Sequence, residues 1–480
     1  MLRAFLALLL LVLSALSAAA QSASFTQLAV SPLEAQRRHD VTMFAAVSTN
    51  GIVPTGWVDF HSTLGGFLGS APLVPLGPGQ GHLESGTDHT CTITPTGGVQ
   101  CWGWNGVWQL GDGTQTDHWS PVDVLNLPGP VIQIAAGSQH TCALTEAGAV
   151  WCWGFNNAGQ LGLGDDLDHT LPEAVIGLPV PIIQITAGQY HTCAIGTNRR
   201  IYCWGNNPYG QLGDGTQDQH FTPIRVGGLP QAVQVAAGWG HTCAIDVQTR
   251  VWCWGENLNG AFGNDTQDSS LVPVRSWMND ASFIAAGLQT TCAIKISNQG
   301  VYCWGRNWTG QVGDGSVTSR FHPVRVVGVR AIMVSMGRDH TCAATRAGGV
   351  ACWGLNDHGQ LGDGTTDNSS WAVGPHFPEA VGTWAVSAAN YGSCAQSSGG
   401  EVWCWGDNAE GDTGDGTNDT PRLTPVATVG GAFAWPRATA FARLVTSTLP
   451  LGIQRSWAFY AGSDQVGGSQ SRNVRHRVRR

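Results

Sequence analysis

The chain has 480 residues, of which only 12% are charged, with a formal net charge of −9. Such a sparse, acidic balance gives no electrostatic footprint for nucleic acid, and we expect no nucleic-acid partner. Glycine (65 residues) and tryptophan (21 residues) are abundant. This composition, without a long amphipathic helical pattern, predicts many short strands joined by tight turns.

The N-terminal segment is typical of a secretory signal peptide. Arg3 precedes an apolar run from Ala4 to Leu16, and the small residues 17–20 follow. This pattern predicts a signal peptide at 1–20 and a mature chain that begins near Gln21, outside the cytoplasm. The run is too short to cross a membrane, and no later run reaches about 18 apolar residues. We therefore expect a secreted protein, extracellular or at the cell surface, without membrane insertion.

A unit of about 50 residues recurs seven times from residue 81 to residue 430. Each unit contains versions of His-Thr-Cys-Ala, a short turn, Trp-Cys-Trp-Gly-x-Asn and Gly-Gln-Leu-Gly-Asp-Gly-Thr. In the second unit, β-prone segments lie at 131–136, 140–144 and 150–153, and a fourth follows Pro121 in the first unit. Four short strands in each period of this length predict one propeller blade per unit. The predicted fold class is therefore all-β, with a seven-bladed β-propeller.

These units resemble the regulator of chromosome condensation repeat family, whose hallmark is a glycine-rich unit of about 50 residues that ends in Gly-Gln-Leu-Gly. The motif is intact at 159–162, 210–213 and 359–362, nearly intact at 310–313, and altered at 260–263 and 411–414. The resemblance covers about residues 86–429 and implies a seven-bladed propeller. The family's nuclear members are nucleotide-exchange factors for a small GTPase and bind chromatin. A secreted chain would not meet those partners.

All 14 cysteines lie in the repeats, two in each unit. In the hairpin register, Cys142 lies directly opposite Cys152, close to the separation that a disulfide requires. An even count in an extracytoplasmic chain favours the same reading. One disulfide per blade is predicted, and the pairs are Cys91 with Cys101, Cys142 with Cys152, Cys193 with Cys203, Cys243 with Cys253, Cys292 with Cys303, Cys342 with Cys352, and Cys394 with Cys404.

The alternatives for these cysteines are a metal site and free thiols. Their spacing is not the paired CxxC of zinc modules. Two units keep both cysteines but lack the preceding histidine, where Thr290 and Gly392 stand instead. We therefore expect no metal and no cofactor.

Two residue types recur at fixed positions of the unit. The tryptophan after the second cysteine is predicted to pack between blades (Trp102, Trp153, Trp204, Trp254, Trp304, Trp353 and Trp405). The histidine before Thr-Cys is predicted to be a hydrogen-bonded structural residue (His89, His140, His191, His241 and His340). The Gly-Asp-Gly-Thr stretches lack the ligand pattern of calcium loops and are predicted to be turns with backbone-capping aspartates.

Tryptophans that break the repeat are the candidates for partner binding. Trp104 is specific to its unit, since no other unit has tryptophan at that position. Trp108, Trp239 and Trp308 replace the Gly, Ser and Asn found in other units. All blades share the same core requirements, so a large apolar residue in one blade's loop indicates a surface that contacts a partner. The alternative is local packing within the loop.

The segments that flank the repeats resemble a bacterial immunoglobulin-like domain in two halves. Residues 21–80 contain Pro-Thr-Gly-x-Val-x-Phe, and residues 431–475 supply the missing second half. We expect a small split β-sandwich with the propeller (81–430) inserted in one of its loops, and a basic tail at 476–480. The alternative is two decayed modules. The sequence leaves two alternatives for closing the ring, namely a strand near 82–86 or a C-terminal strand.

No catalytic constellation is evident, since the chain has neither a Gly-x-Ser-x-Gly elbow nor an HExxH motif. We expect a non-enzymatic, secreted binding protein whose propeller presents loops to an unknown protein or glycan, in bacterial surface adhesion or recognition. One alternative is a soluble inhibitor of a secreted enzyme, since a secreted β-lactamase-inhibitory propeller resembles the same family. The other is an extracellular enzyme.

Overall fold

The computed structural model describes residues 82–430, except 95, 379–381 and 398–399, and the backbone of ten strands within 24–75 and 437–479. The predicted signal peptide lies outside the described residues. Every regular element in the described part is a β-strand, and no helix there could cross a membrane. The chain divides into two compact units, Met1–Pro78 with Pro436–Arg480, and Gly79–Trp435.

The strands are numbered in chain order. Those before the repeats are β1 (Ser24–Ser31), β2 (Glu34–Gln36), β3 (Val41–Asn50), β4 (Trp57–Ser62), β5 (Gly66–Pro72) and β6 (Val74–Pro75). Those of the first four repeats are β7 (Leu83–Ser85), β8 (His89–Ile93), β9 (Val99–Gly103), β10 (His118–Asp123), β11 (Val131–Ala136), β12 (His140–Thr145), β13 (Val150–Gly154), β14 (His169–Ala174), β15 (Ile182–Ala187), β16 (His191–Gly196), β17 (Ile201–Gly205), β18 (His220–Arg225), β19 (Ala232–Ala237), β20 (His241–Asp246), β21 (Val251–Gly255) and β22 (Ser270–Arg275). Those of the last three repeats are β23 (Ala281–Ala286), β24 (Thr290–Lys295), β25 (Gly300–Gly305), β26 (Arg320–Met336), β27 (His340–Thr345), β28 (Val350–Gly354), β29 (Ser369–Val373), β30 (Thr383–Ala388), β31 (Gly392–Ser397), β32 (Val402–Gly406) and β33 (Arg422–Ala427). Those after the repeats are β34 (Arg437–Thr446), β35 (Gly452–Ser463), β36 (Val466–Gln470) and β37 (Val474–Arg479).

The repeats form seven blades of four antiparallel strands, as predicted. In each blade the first strand lines the central channel, because the first strands of successive blades contact one another around the ring. Blades 5 and 6 share β26, a 17-residue strand that is the outer strand of one blade and the inner strand of the next. These two blades therefore form one seven-stranded sheet.

The central hairpin of each blade carries a disulfide. In the second blade Cys142 pairs with Cys152, Ala143 with Trp151, and Leu144 with Val150, the register that the sequence predicts. The Cα–Cα separation is 4.1 Å in every bridge, and the described residues contain no free cysteine. The seven bridges of the structure are Cys91 to Cys101, Cys142 to Cys152, Cys193 to Cys203, Cys243 to Cys253, Cys292 to Cys303, Cys342 to Cys352, and Cys394 to Cys404. Each bridge staples a hairpin within one blade and does not cross to another.

The recurring tryptophans join neighbouring blades. All seven are fully buried. The indole N–H of Trp153 donates to the carbonyl of Gln109 in the preceding blade at 2.9 Å, and the same bond recurs at all seven seams with distances of 2.8 to 2.9 Å. A buried N–H requires a partner, so each tryptophan fixes both the distance and the orientation between two blades.

The recurring histidines join blades at five seams. Nε2 of His89 lies 2.9 Å from the Thr141 hydroxyl, which itself donates to the Gln109 carbonyl at 2.9 Å, so the imidazole nitrogen is the donor. Equivalent bonds involve His140, His191, His241 and His340. Burial lowers the pKa of His89 to about 4, so the ring is neutral at ordinary pH.

The asparagine of Trp-Gly-x-Asn organises the loop between the third and fourth strands. Asn156 is fully buried, its Oδ1 accepts from the Leu161 backbone at 2.9 Å, and its Nδ2 donates to Asp165. This pattern recurs in the other blades and explains why the motif repeats. The side chain replaces the backbone partners that a loop without regular structure lacks.

The first blade supplies its own inner strand, so the ring closes by blade-to-blade packing. β7 pairs with β8 in the first blade, and none of the four strands of the seventh blade comes from the N-terminal side. Across this seam, the Ser85 N–H donates to Ser387 Oγ at 2.8 Å, and Leu83 packs in a cluster with Val402. Of the two alternatives in the sequence, the strand near 82–86 is the one observed.

The flanking unit contains two sheets, and each draws strands from both sides of the repeats. One has the order β1-β3-β34-β6 and the other β2-β37-β35-β4-β5, with β36 on β35. β3 pairs with β34 over ten residues, and β35 pairs with β4. The immunoglobulin-like identity of this unit stays a prediction.

Peptide mapping under denaturing, non-reducing conditions tests the disulfide pattern. We expect seven bridges, each within one hairpin, and no free thiol, because the paired cysteines face each other across adjacent strands. A bridge between blades, or a substantial count of free thiols in the full-length protein, would contradict this arrangement.

Replacing Trp254 by Phe tests the bond between blades. The change removes the indole donor to the Gln211 carbonyl, at 2.8 Å, and leaves a small void. We expect the free energy of unfolding to fall by about 2–4 kcal/mol. The control is Trp277→Phe, at a tryptophan that is 60% exposed, for which a change below about 0.5 kcal/mol is expected. Equal effects in thermal unfolding would show that the indole bond has no special role.

Candidate functional site

Two loops of every blade emerge at the same end of the propeller. The strands are antiparallel, so the loop after the first strand and the loop after the third strand lie at one end of each sheet. We call this end the loop face. In the fifth blade, it comprises residues 287–289 and 306–319.

The mouth of the central channel lies in the loop face and differs in every blade. Seven residues at one repeat position, the second after the inner strand, surround it: Thr87, Ser138, Gln189, Trp239, Leu288, Arg338 and Asn390. The strands behind them line the channel with small residues such as Ala136 and Ala187. A repeated scaffold thus carries a non-repeating set of side chains at this mouth.

Aromatic rings and arginines meet on one side of the loop face. The Arg306 guanidinium lies 4.2 Å from the ring centre of Trp308, which is 62% exposed. The Arg338 guanidinium lies 6.0 Å from the ring centre of Trp239 and 5.7 Å from that of Tyr391, to whose hydroxyl it also donates. We call these five residues the aromatic–arginine sector. Its guanidinium groups are held over π-faces, an arrangement that stabilises cations.

Asp339 connects the two arginines at the seam between blades 5 and 6. Its carboxylate is 3.1 Å from Arg306, 3.6 Å from Arg338 and 3.1 Å from the Gln311 amide. Burial, with a smaller contribution from the charge of Asp357, raises the pKa of Asp339, while the charges of the two arginines oppose that rise. Two guanidinium groups therefore face two carboxylates, and their charges balance.

Carboxylates converge at the seam between blades 7 and 1. Burial and the charges of Asp407 and Glu410 raise the pKa of Asp88 to about 6. Burial and four acidic neighbours, Asp88 first, raise the pKa of Asp412 well above its ordinary value. We call Asp88, Asp117, Asp407, Glu410 and Asp412 the acidic sector. The loop face is therefore acidic at this seam, whereas arginines and carboxylates balance each other at the seam between blades 5 and 6.

All four candidate tryptophans lie in the loop face, in two groups. Trp239 and Trp308 belong to the aromatic–arginine sector, connected through Arg338, Asp339 and Arg306. Trp104 and Trp108 lie in the loop of the first blade, and the Trp104 backbone N–H donates to the Asp88 carbonyl at 2.8 Å. Their role as partner-binding residues stays a prediction.

Trp108 has a backbone conformation that disfavours a large side chain. Its φ is +62°, and the other six blades have glycine at this position with φ between +74° and +89°. At Gly159 an added Cβ would meet the Phe221 ring at 2.2 Å, which explains the glycine there. A tryptophan in the left-handed region is uncommon, because a side chain there strains the backbone.

Arg306, Arg338, Asp339 and Tyr391 were not among the residues that the sequence singled out. The repeat alignment held a signal for them, because they occupy the variable position of Trp-Gly-x-Asn and the positions before His-Thr-Cys. Their clustering depends on contacts between successive blades. The repeat pattern alone does not show which of these variable side chains touch.

The aspartates of the Gly-Asp-Gly-Thr turns cap backbone amides, as predicted. Asp112 Oδ1 accepts from the Thr114 N–H at 3.0 Å. Burial alone would raise the pKa of Asp112, but its hydrogen bonds with Thr114 and Asn105 lower it below the ordinary value. Within the described ranges, no group of three or more His, Cys, Asp or Glu side chains has an arrangement that could hold a metal ion.

Seven repeats of about 50 residues, one per blade and joined by buried indole N–H bonds, define this chain as a repeat-built β-propeller. A family model described as RCC1-like domain matches residues 130–442, more than half of the chain, and a model described as the regulator of chromosome condensation (RCC1) repeat matches residues 96–144. The chain belongs to the RCC1-like domain family.

Known relatives match part of the chain. The ultraviolet-B receptor UVR8 of Arabidopsis thaliana is 34% identical over 146 residues, 30% of this chain and 33% of that protein. The human probable E3 ubiquitin-protein ligase HERC4 is 35% identical over 147 residues, 30% of this chain and 14% of that protein. The chain thus matches a third or less of the length of these relatives.

Solved structures share the fold at low identity. Yeast RCC1 (Prp20), crystallised bound to Kap60, is 20% identical with a TM-score of 0.63, over 76% of this chain and 90% of that one. Human WBSCR16 is 18% identical with a TM-score of 0.60, over 71% of this chain and 100% of that one. At this identity the likeness establishes the propeller fold.

Replacing Arg306 by Met tests the charge balance of the aromatic–arginine sector. Without this cation, the already raised pKa of Asp339 rises further, so the native state binds its proton more tightly than the unfolded state does. Stability then falls as pH rises through the native pKa. We expect a loss of about 2–3 kcal/mol at pH 8 and a smaller loss at pH 5.

Thermal unfolding at the two pH values measures this difference. The control is Arg346→Met, at an exposed arginine with no ion pair in the described structure, for which we expect little change at either pH. An Arg306→Met loss that is equal at pH 5 and pH 8 would mean that Asp339 does not depend on Arg306.

Proposed function

We propose that this chain is a non-catalytic binding protein that holds a protein partner on its loop face. The observation that carries the proposal is the exposed Trp308 ring stacked beside Arg306 and connected through Asp339 to Arg338 and Trp239. Tryptophan, tyrosine and arginine dominate the binding energy of protein interfaces. The guanidinium groups of the sector suit a partner that presents carboxylates or backbone carbonyls.

The proposed setting is outside the cell. Seven disulfides support an oxidising compartment, and the predicted signal peptide at 1–20 agrees with it. Adhesion or recognition at a cell surface is the role we favour, and the bacterial setting stays a prediction. A complex of yeast RCC1 with Kap60 supports a protein partner, because it is a propeller of this fold in a protein complex.

A soluble inhibitor of a secreted enzyme is the second candidate. A patch of aromatic rings and arginines at a channel mouth would also suit contact with an acidic active-site cleft. Both roles require the same sector, and the identity of the captured protein distinguishes them. A glycan partner would use the exposed ring of Trp308 without needing the arginines.

Substitution in the sector tests the proposal. Immobilised full-length protein is exposed to the extracellular protein fraction of its own source, with chemical cross-linking and mass spectrometry, and to a glycan array. We expect a protein cross-linked at the loop face, and at least a tenfold lower affinity for it in both Trp308→Ala and Arg338→Ala.

Trp277→Ala is the matched control, since Trp277 is similarly exposed but lies after an outer strand. It should leave the affinity unchanged. Equal binding by all variants would exclude the sector as the contact. Glycan binding that requires Trp308 but not Arg338 would replace the protein partner by a carbohydrate.

A further inference from the structure

The seam between blades 7 and 1 differs from the seam between blades 5 and 6 at two of three equivalent positions. After Trp-Gly, one seam has Asp407 where the other has Arg306. After the loop glycine it has Asp412 where the other has Gln311. Before His-Thr-Cys or its equivalent, both have an aspartate, Asp88 and Asp339. A neutralised ion pair at one seam is thus replaced by three carboxylates at the other.

The carboxylates of the acidic sector lie across the junction of the two blades. Asp412 Oδ1 is within 2.9 Å of where a Cβ on Gly103 of the first blade would stand, and it is a buried atom without a hydrogen-bond partner. Asp407 and Glu410 come from the seventh blade, and Asp88 and Asp117 from the first. In the described part of the chain, no arginine or lysine is ion-paired with any of these five residues.

This seam also has few links between blades. Five seams carry the histidine-to-hydroxyl bond, whereas Gly392 stands in place of the histidine at the closing seam. No strand is exchanged across it. Its contacts include three hydrogen bonds. The Trp102 indole N–H donates to the Asp412 carbonyl at 2.9 Å, and the Ser85 N–H donates to Ser387 Oγ at 2.8 Å. The Gly416 N–H donates to the Trp119 carbonyl at 2.7 Å.

We propose that the closing seam is a pH-sensitive latch, in which protonated carboxylates hold blades 7 and 1 together and ionised carboxylates loosen them. The charges that face Asp412 come from both blades: Asp88 and Asp117 from the first, and Asp407 and Glu410 from the seventh. Repulsion among these carboxylates, when they are ionised, therefore acts between the two blades. The ring therefore closes most firmly in mildly acidic surroundings and opens more readily at higher pH.

The direction of the pH effect on ring closure follows from proton binding. Burial and two acidic neighbours raise the pKa of Asp88 from 3.8 to about 6 in the closed ring, and separation of the blades removes these causes. The closed state binds more protons than the open state between these values, so closure weakens as pH rises through them. A shift of this size corresponds to a change in the closing equilibrium of up to about 100-fold.

Hydrogen exchange of the seam amides in the full-length protein tests the latch. Gly416 N–H bonds across the closing seam, and Gly315 N–H makes the equivalent bond to Ser370 across the seam between blades 5 and 6. After correction for intrinsic exchange, we expect protection of Gly416 relative to Gly315 to fall about tenfold or more from pH 5 to pH 8. A constant ratio would overturn the proposal, and this comparison needs no variant.

Two variants connect the effect to the carboxylates. Asp412→Gln introduces the residue of the other seam, and the double change Asp407→Arg with Asp412→Gln introduces its cation as well. Both should reduce the fall in protection, the double change more. Asp166→Asn, at an exposed acid away from this seam, should keep it. Unaltered pH dependence in both seam variants would also overturn the latch.

Discussion

The hydrogen bond from a buried indole N–H to a carbonyl of the preceding blade is the interaction on which the ring depends. A propeller blade is a small antiparallel sheet that cannot bury both faces alone, so stability comes from the contact with its neighbours. Here the ring of Trp153 fills that contact, and its N–H ties it to Gln109. The same geometry at seven seams sets a constant angle between blades, which a closed ring requires.

The scaffold was predictable because its requirements repeat. The spacing of Cys142 and Cys152 determined the hairpin register, and the repeated Trp-Cys-Trp-Gly placed the packing tryptophans at the seams. The continuous strand β26 was not predictable, because nothing in 320–336 distinguishes a strand that bends between blades from two strands with a loop. The inner strand at Leu83–Ser85 has only three residues, so the sequence offered it as one of two alternatives and did not decide between them.

The candidate site was predictable only in part, for the opposite reason. Side chains that occur once, such as Trp239 and Trp308, stand out against the repeat as bulky replacements. Arg306 and Asp339 do not, since each is an ordinary polar residue at a variable position, and their pairing exists only because two blades meet there. Repetition shows where variation is allowed, and the contacts between neighbours decide which variations act together.

The two seams without a histidine link carry different charged groups in the loop face. Where the histidine link is absent at Thr290, an ion pair takes its place, and where it is absent at Gly392, acidic side chains gather instead. The first seam lies beside the exposed rings that we assign to partner binding. The second lies where the two ends of the repeat array meet. Both seams lack the histidine link that the other five carry.

The local disulfides have a consequence for how such a chain is made. Each bridge closes a segment whose cysteines are ten or eleven positions apart, so the correct partner is nearby as soon as one hairpin has been synthesised. Oxidation can then proceed one repeat at a time. Because no bridge crosses a blade boundary, duplication or deletion of a whole repeat during evolution leaves no cysteine unpaired.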